Sequence, residues 1–300
     1  SKLLNDFPTK TLPEIVTSVL GPWLGWVVNF VFMFHFLIET AVGSRLVGEV
    51  MLRLLPDTPL LAIVLGTTVT GTVLARLGPG AIGRLSLIHV GVVTASMIFI
   101  VVTLFSMIDS GRFRPLLAVP ASDLVIASFP LIGFMGHAIL LSFLVAYIPS
   151  KRAKPATNWP VWKIGTIGMG TSWLFFFILL LLSQGVFGAF ETPRLTLPVL
   201  SLVRSIKIGA HFERVEASLV ALWLPSAFLK VGIFLYSTSV MAASLVRTPT
   251  HVWLTMPLAL VSVPISLMLA KNITHLTYLI NGTWALVQIA VKILIPACLL

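Results

Sequence analysis

Eight runs of about eighteen or more mostly apolar residues divide this chain, and they limit what it can become. They fall at approximately Pro22–Gly48, Leu60–Leu77, Leu85–Ile108, Leu124–Ile148, Ile164–Phe190, Ala217–Val246, Val252–Ala270 and Leu276–Leu300. Hydrocarbon offers a backbone N–H no partner, so each segment must satisfy its own hydrogen bonds. These runs are far longer than the roughly ten-residue alternating strands of a membrane barrel, which leaves the α-helix. The expected fold class is an all-α polytopic membrane protein: one transmembrane domain over residues 1–300, with residues 1–21 as a cytoplasmic lead-in. Only 10% of the residues are charged, against about 25% in soluble domains. The sequence LGPGAIGR, Leu77 to Arg84, is expected to end the second helix and to delay the third until Leu85.

A net charge of +10 would suggest a nucleic-acid partner in a soluble protein. Here the basic residues lie mostly between apolar runs, where they set topology and meet anionic lipid, so the partner they imply is the bilayer and no nucleic acid is expected. With an even number of spans both termini share one side, and the densest basic loop (Lys151, Arg152, Lys154 and Lys163) falls on it. The positive-inside rule makes that side cytoplasmic. The single cysteine, Cys298, rules out an intrachain disulfide. With no zinc or redox motif, no cofactor is expected. The longest connection, Glu191 to Glu216, spaces Val199, Leu200, Val203 and Ile206 as on a helix. It reads as an external surface helix, either a cover over the bundle or a lid.

Ionisable side chains inside apolar runs are costly, and each is a candidate for function. In the first run His35 and Glu39 share a helix face at i,i+4, and Arg45 and Glu49 repeat that spacing further along. The HFLIE stretch is not the HExxH of a zinc site and lacks further ligands, so no metal is expected. Glu39 is placed facing the bundle interior, and Arg45 with Glu49 as an ion pair at the external interface. The fourth run contains SFPLIGFMGHAILL, in which Pro130, Gly133, Phe134 and Gly136 precede His137. Such a cluster weakens the helical ladder and frees backbone groups for a ligand, or it lets helices pack closely through small residues. His137 is expected to hydrogen-bond a backbone carbonyl or to titrate. Lys230 lies too deep in the sixth run to snorkel to water. It is either a functional cation or a structural one set against helix carbonyl ends. His35, Glu39, His89 and His137 are scattered over three runs, and no nucleophile–base pair or complete metal-ligand set is visible, so an enzyme is not expected.

The stretches LPVLSLVR, SIKIGAHFERVEASLVALW and FLKVGIFLY carry Pro198, Arg204, Ile208, Gly209, Phe212, Glu213, Arg214, Glu216, Ala217, Trp223, Lys230 and Tyr236. Upstream, FPTKTLPEIVTSVLGPWLG precedes Arg45 and Glu49, and RPLLAV precedes the run with Pro130. In this order they resemble the spore germination permease family, the B subunits of bacterial spore germinant receptors. The resemblance implies the amino acid/polyamine/organocation superfamily and a leucine-transporter-like fold of ten helices in two inverted repeats. This chain would begin where the third helix should, with about eight transmembrane helices present and the first two absent. It implies a multi-pass protein of the spore inner membrane that partners other receptor subunits and binds a small nutrient such as an amino acid. The ligand-binding residues would be Gly133, Phe134, Gly136 and His137, with Glu39. Lys230 would be a coupling cation standing where a sodium ion otherwise binds, or a structural one. Relatives carry a carboxylate near His137, a departure in this chain. The alternative function is a proton-coupled amino acid transporter.

Overall fold

The computed structural model describes residues 10–114, 119–144, 161–206 and 215–298. The basic residues Lys151, Arg152 and Lys154, and the Ile208–Arg214 part of the family pattern, lie outside them. Helix α1 (Leu12–Met51) opens with a capping box: the Thr11 N–H donates to Glu14 Oε2 at 2.7 Å, and Pro13 takes the first turn, where its missing N–H costs nothing. Gly21 interrupts α1 at φ 76°, a conformation that suits glycine, and Pro22 restarts the helix. Across that bend the lead-in folds back onto the first long helix. Asn29 Nδ2 donates to the Pro13 carbonyl and to Thr17 Oγ1, each at 3.2 Å. Leu12, Ile15 and Val16 are buried there.

Helix α2 (Leu60–Leu77) ends at Gly78, φ 78°, and α3 (Pro79–Leu104) begins one residue later. The break expected to last until Leu85 is thus a single glycine. Pro79 is tolerated because it stands first in its helix, and Gly80 and Gly83 are absorbed at about 1 kcal/mol each. Two 3₁₀ turns come after α3, Phe105–Met107 and Ser110–Phe113. Helix α4 (Ala121–Met135) tightens into a 3₁₀ turn at Gly136–Leu140 before α5 (Leu141–Leu144). Helices α6 (Val161–Phe187), α7 (Pro198–Arg204) and α8 (Val215–Leu245) come next. The chain then runs through α9 (Val252–Met268), α10 (Ile273–Asn281), α11 (Thr283–Ile289), a π-helical turn at Ala290–Leu294 and α12 (Ile295–Cys298).

Among the described residues six helices are long and apolar enough to cross a membrane, or seven if α9 and α10, bent by 105°, form one broken span. The sequence suggested eight. The correction lies at the C-terminal end, where the expected eighth span is not continuous. Asn272 caps α10 by accepting the His275 N–H at 2.9 Å, and Gly282 then leaves helical geometry at φ −95°, ψ −114°. Apolar composition shows where a chain can enter lipid; it does not register a bend made by a cap and a glycine.

The described residues fall into two compact units. The first takes those within Ser1–Leu85, Ser128–Ile167 and Ala227–Leu300. Its core is aromatic-rich, with Phe32, Phe36, Phe143, Phe234, Tyr236 and Met241 fully buried. Helices α2 and α8 meet through small residues: a Cβ on Gly71 would lie 2.6 Å from Val231 Cγ1, and one on Gly232 2.9 Å from Leu74 Cβ. Arg45 and Glu49 do form an ion pair, at 2.8 Å, and both are buried inside this unit. Arg45 Nη1 also donates to the carbonyls of Ser266 and Leu267 at the end of α9, whose last C=O groups lack helical partners. The second unit takes the described residues within Ser86–Ala127 and Gly168–Ser226. Its core joins Ile100, Leu104, Leu182 and Val186 to Leu202, Val203 and Ile206. The expected surface helix is therefore α7, with Leu202 and Val203 turned inward and Val199 out.

Candidate functional site

Within the first unit, three helical elements bring their costly side chains to one point. The carboxylate of Glu39, 1% exposed, comes from the middle of α1. Lys292, 3% exposed, comes from the π-helical turn near the C-terminus and donates to Glu39 Oε1 at 2.9 Å. The same ammonium donates to Gln288 Oε1 at 3.0 Å and stands 3.0 Å from His137 Nε2. Trp284 Nε1 donates to Glu39 Oε1 at 3.2 Å. A π turn carries one residue more than an α turn and so rotates the helix beyond it; such turns recur at functional sites. Here the turn holds the inward-facing lysine.

His137 sits at the start of the 3₁₀ turn, where the Pro130, Gly133 and Gly136 cluster was expected to weaken the ladder. Its Nδ1 bonds the Phe134 carbonyl oxygen, as a structural histidine would. A carbonyl only accepts, so Nδ1 carries a proton, and in a neutral ring Nε2 is left as a lone pair facing Lys292. Nε2 also lies 3.4 Å from Glu39 Oε2, a contact that needs a second proton on the ring. That proton would set an imidazolium 3.0 Å from an ammonium. The cluster can therefore hold two arrangements that differ by one proton, one closed by Lys292 and the other by His137.

His35, 3% exposed, stacks on Trp284 with ring centroids 5.1 Å apart, and its Nε2 lies 3.7 Å from Glu39 Oε1. Neither of its ring nitrogens has a hydrogen-bond partner among the described residues. The i,i+4 pairing of His35 with Glu39 is therefore loose, and the strong contacts of the carboxylate go to Lys292 and Trp284.

The expected ligand residues are arranged around this cluster. A Cβ on Gly136 would lie 2.7 Å from Lys292 Cβ, and one on Gly133 3.0 Å from Gln288 Cβ and 3.1 Å from the Ala285 carbonyl oxygen. Both glycines let the interrupted α4 segment approach α11 and the π turn closely enough for His137 to reach Lys292. Phe134 meets the His137 ring edge-on at 4.7 Å. Lys230, at the middle of α8, joins neither Glu39 nor any helix carbonyl among the described residues. Its Nζ faces the rings of Phe134 and Phe234, 5.3 and 5.8 Å from their centroids.

The partners overlooked in the sequence are Lys292, Gln288 and Trp284. Their signal was present: three polar-capable side chains at i, i+4 and i+8 in an otherwise apolar run, the last of them a lysine, share one helix face.

Apolar helices around a buried, ion-paired polar cluster define an all-α, multi-pass membrane protein. The chain belongs to the spore germination permease family, whose model, described as "Spore germination protein", matches residues 1–275. It is similar to spore germination protein KB of Bacillus subtilis (strain 168), 23% identical over 296 residues, which is 97% of this chain and 78% of that protein. It is also similar to spore germination protein YndE of the same strain, 27% identical over 80% of this chain and 64% of the relative. Spore germination protein B2, again of that strain, is 24% identical over 73% of this chain and 58% of its own length. The matched stretch thus spans less than two thirds of the last two. No solved structure matches the chain significantly.

Proposed function

We propose that this chain is the permease-like subunit of a spore germinant receptor, and that it binds a small nutrient such as an amino acid and passes a conformational change to other receptor subunits in the spore inner membrane. The supporting observation is the Glu39–Lys292–His137 cluster, buried beside a helix that narrows to a 3₁₀ turn at Gly136–Leu140. Charges at that depth are expensive to keep, and interrupted helices next to them are where permease-type proteins receive ligands and ions. In this reading Gly133, Phe134, Gly136, His137 and Glu39 lie around the ligand, and the subunit does no chemistry on it. Family membership supports the germination role, and a leucine-transporter-like inverted repeat is the architecture that goes with it.

A second reading, a proton-coupled amino acid transporter, draws on the same cluster, because its two arrangements differ by one proton. The two readings are separated by uptake of a labelled amino acid mixture into proteoliposomes holding the purified protein, with and without an inward proton gradient. The sensor reading expects no gradient-driven accumulation, together with loss of nutrient-triggered germination in spores carrying Glu39→Gln. Gradient-driven uptake would favour transport. Normal germination of the Glu39→Gln spores at normal protein level would remove the site altogether.

A further inference from the structure

Beside the buried ion pairs of the first unit stands a half-buried lysine with no ion pair of its own among the described residues. The unit's two buried carboxylates among the described residues are Glu39 and Glu49, and each is already taken: Glu39 by Lys292 at 2.9 Å, Glu49 by Arg45 at 2.8 Å. Lys230 is a third cation, set mid-helix. Among the described residues it has no hydrogen bond and no carboxylate within ion-pair distance; Glu39 feels its charge from further off, and its ammonium faces the rings of Phe134 and Phe234. Lys230 is half-buried, so its ammonium gives up part of its hydration, and the attraction of the two ring quadrupoles offsets only some of that loss. The cation is also held in place by its surroundings. The same two rings pack against His137, at 4.7 and 5.1 Å, and Phe234 is fully buried in the core.

We infer that Lys230 is an anion-binding residue that receives the carboxylate of a small ligand, with Phe134 and Phe234 as apolar walls beside it. The inference rests on the nutrient-binding reading above and deepens it. It names the charged group of the ligand and moves its recognition from Glu39, which is saturated, to Lys230. Position selects the source of the anion. Lys230 is the midpoint of α8 (Val215–Leu245), with fifteen residues to either end, or about 22 Å of helix on each side at 1.5 Å per residue. Its ammonium faces Phe234, which is fully buried in the core, and so is turned to the bundle interior rather than to lipid headgroups. A small molecule entering the protein can bring a carboxylate there. A ligand carboxylate seated against the two rings would shield the contact from water, and a charged ammonium–carboxylate hydrogen bond there is short and strong.

The test uses the full chain in nanodiscs, with the twenty amino acids as one probe mixture and their carboxamides, which lack the anion, as another. Thermal unfolding is followed by tryptophan fluorescence. The wild type is expected to be stabilised by the acids and not by the amides. In Lys230→Met the half-maximal concentration of the acids should rise by about 10- to 100-fold, the range for loss of a charged hydrogen bond. Lys230→Arg, which keeps the charge, should recover part of the effect. The melting temperature of ligand-free Lys230→Met should match or exceed that of wild type, since a half-buried charge without an ion pair has been replaced by an apolar side chain, and this separates lost binding from lost folding. A Lys230→Met protein that answers the acids like wild type, or a wild type that answers acids and amides alike, would overturn the assignment and leave nutrient binding standing. Absence of any response by the wild type to either mixture would overturn both.

Discussion

A carboxylate and an ammonium buried together are worth little to stability as a pair and much to specificity, because removing one strands the other. Glu39 and Lys292 are 1% and 3% exposed. Loss of a single partner of such a pair costs about 3–5 kcal/mol, whereas replacing both by apolar groups of similar size is often neutral. Lys292→Met alone is therefore expected to lower the unfolding temperature of the purified protein sharply, and Glu39→Leu with Lys292→Met to restore most of it while the nutrient response stays lost. A double variant as unstable as the single one would show that Glu39 is held mainly by Trp284 and His137 instead. At this scale the sequence was partly legible. Glu39 and His137 stood out as charged or titratable groups in apolar runs. Lys292, overlooked, is equally a charge in an apolar run, but nothing local ties it to Glu39, since 253 residues separate them.

Among the elements, the interrupted α4 segment and the π turn show how small residues place large ones. Gly136 lies so close to Lys292 that a Cβ would fall 2.7 Å from the lysine Cβ. Contacts that short do not persist, so a larger side chain must push the two elements apart. Gly136→Val is expected to cost about 1–3 kcal/mol, the usual range for overpacking, and to abolish the germination response by separating His137 from Lys292. Gly66→Ala is the control. Nothing lies within 4 Å of a Cβ there, and alanine favours the helix by up to about 1 kcal/mol. Thermal melts of both proteins and dose–response curves of spores carrying them check the pair; equal behaviour would mean that the close approach is not needed. The sequence announced the weakened helix through Pro130, Gly133 and Gly136. It did not announce which neighbour would use the space, because side chains at helical spacing define a face and not its partner.

For the whole molecule, the outward surface agrees with the apolar composition. Trp23, Leu87, Trp253, Met268 and Tyr278 are each more than three-quarters exposed, which water would penalise and lipid does not. The protein should stay with the membrane pellet through alkaline carbonate washing and leave it only in detergent; release by carbonate would mean that the helices do not span. What the sequence by itself determined was the solvent and the element type, since eight long apolar runs with few charges can satisfy their backbone in lipid only as helices. It also determined the family, through residues spread along the chain. The tertiary structure decided that the C-terminal runs bend at Asn272 and Gly282, that Arg45 and Glu49 are interior, and that Glu39 is neutralised by Lys292 while Lys230 is left facing two phenylalanines. The physical reason is range. Hydropathy and helical hydrogen bonding are local sums that can be read along the chain, whereas the choice between Lys230 and Lys292 depends on which helix packs closest to Glu39, and glycines far away in sequence set that distance.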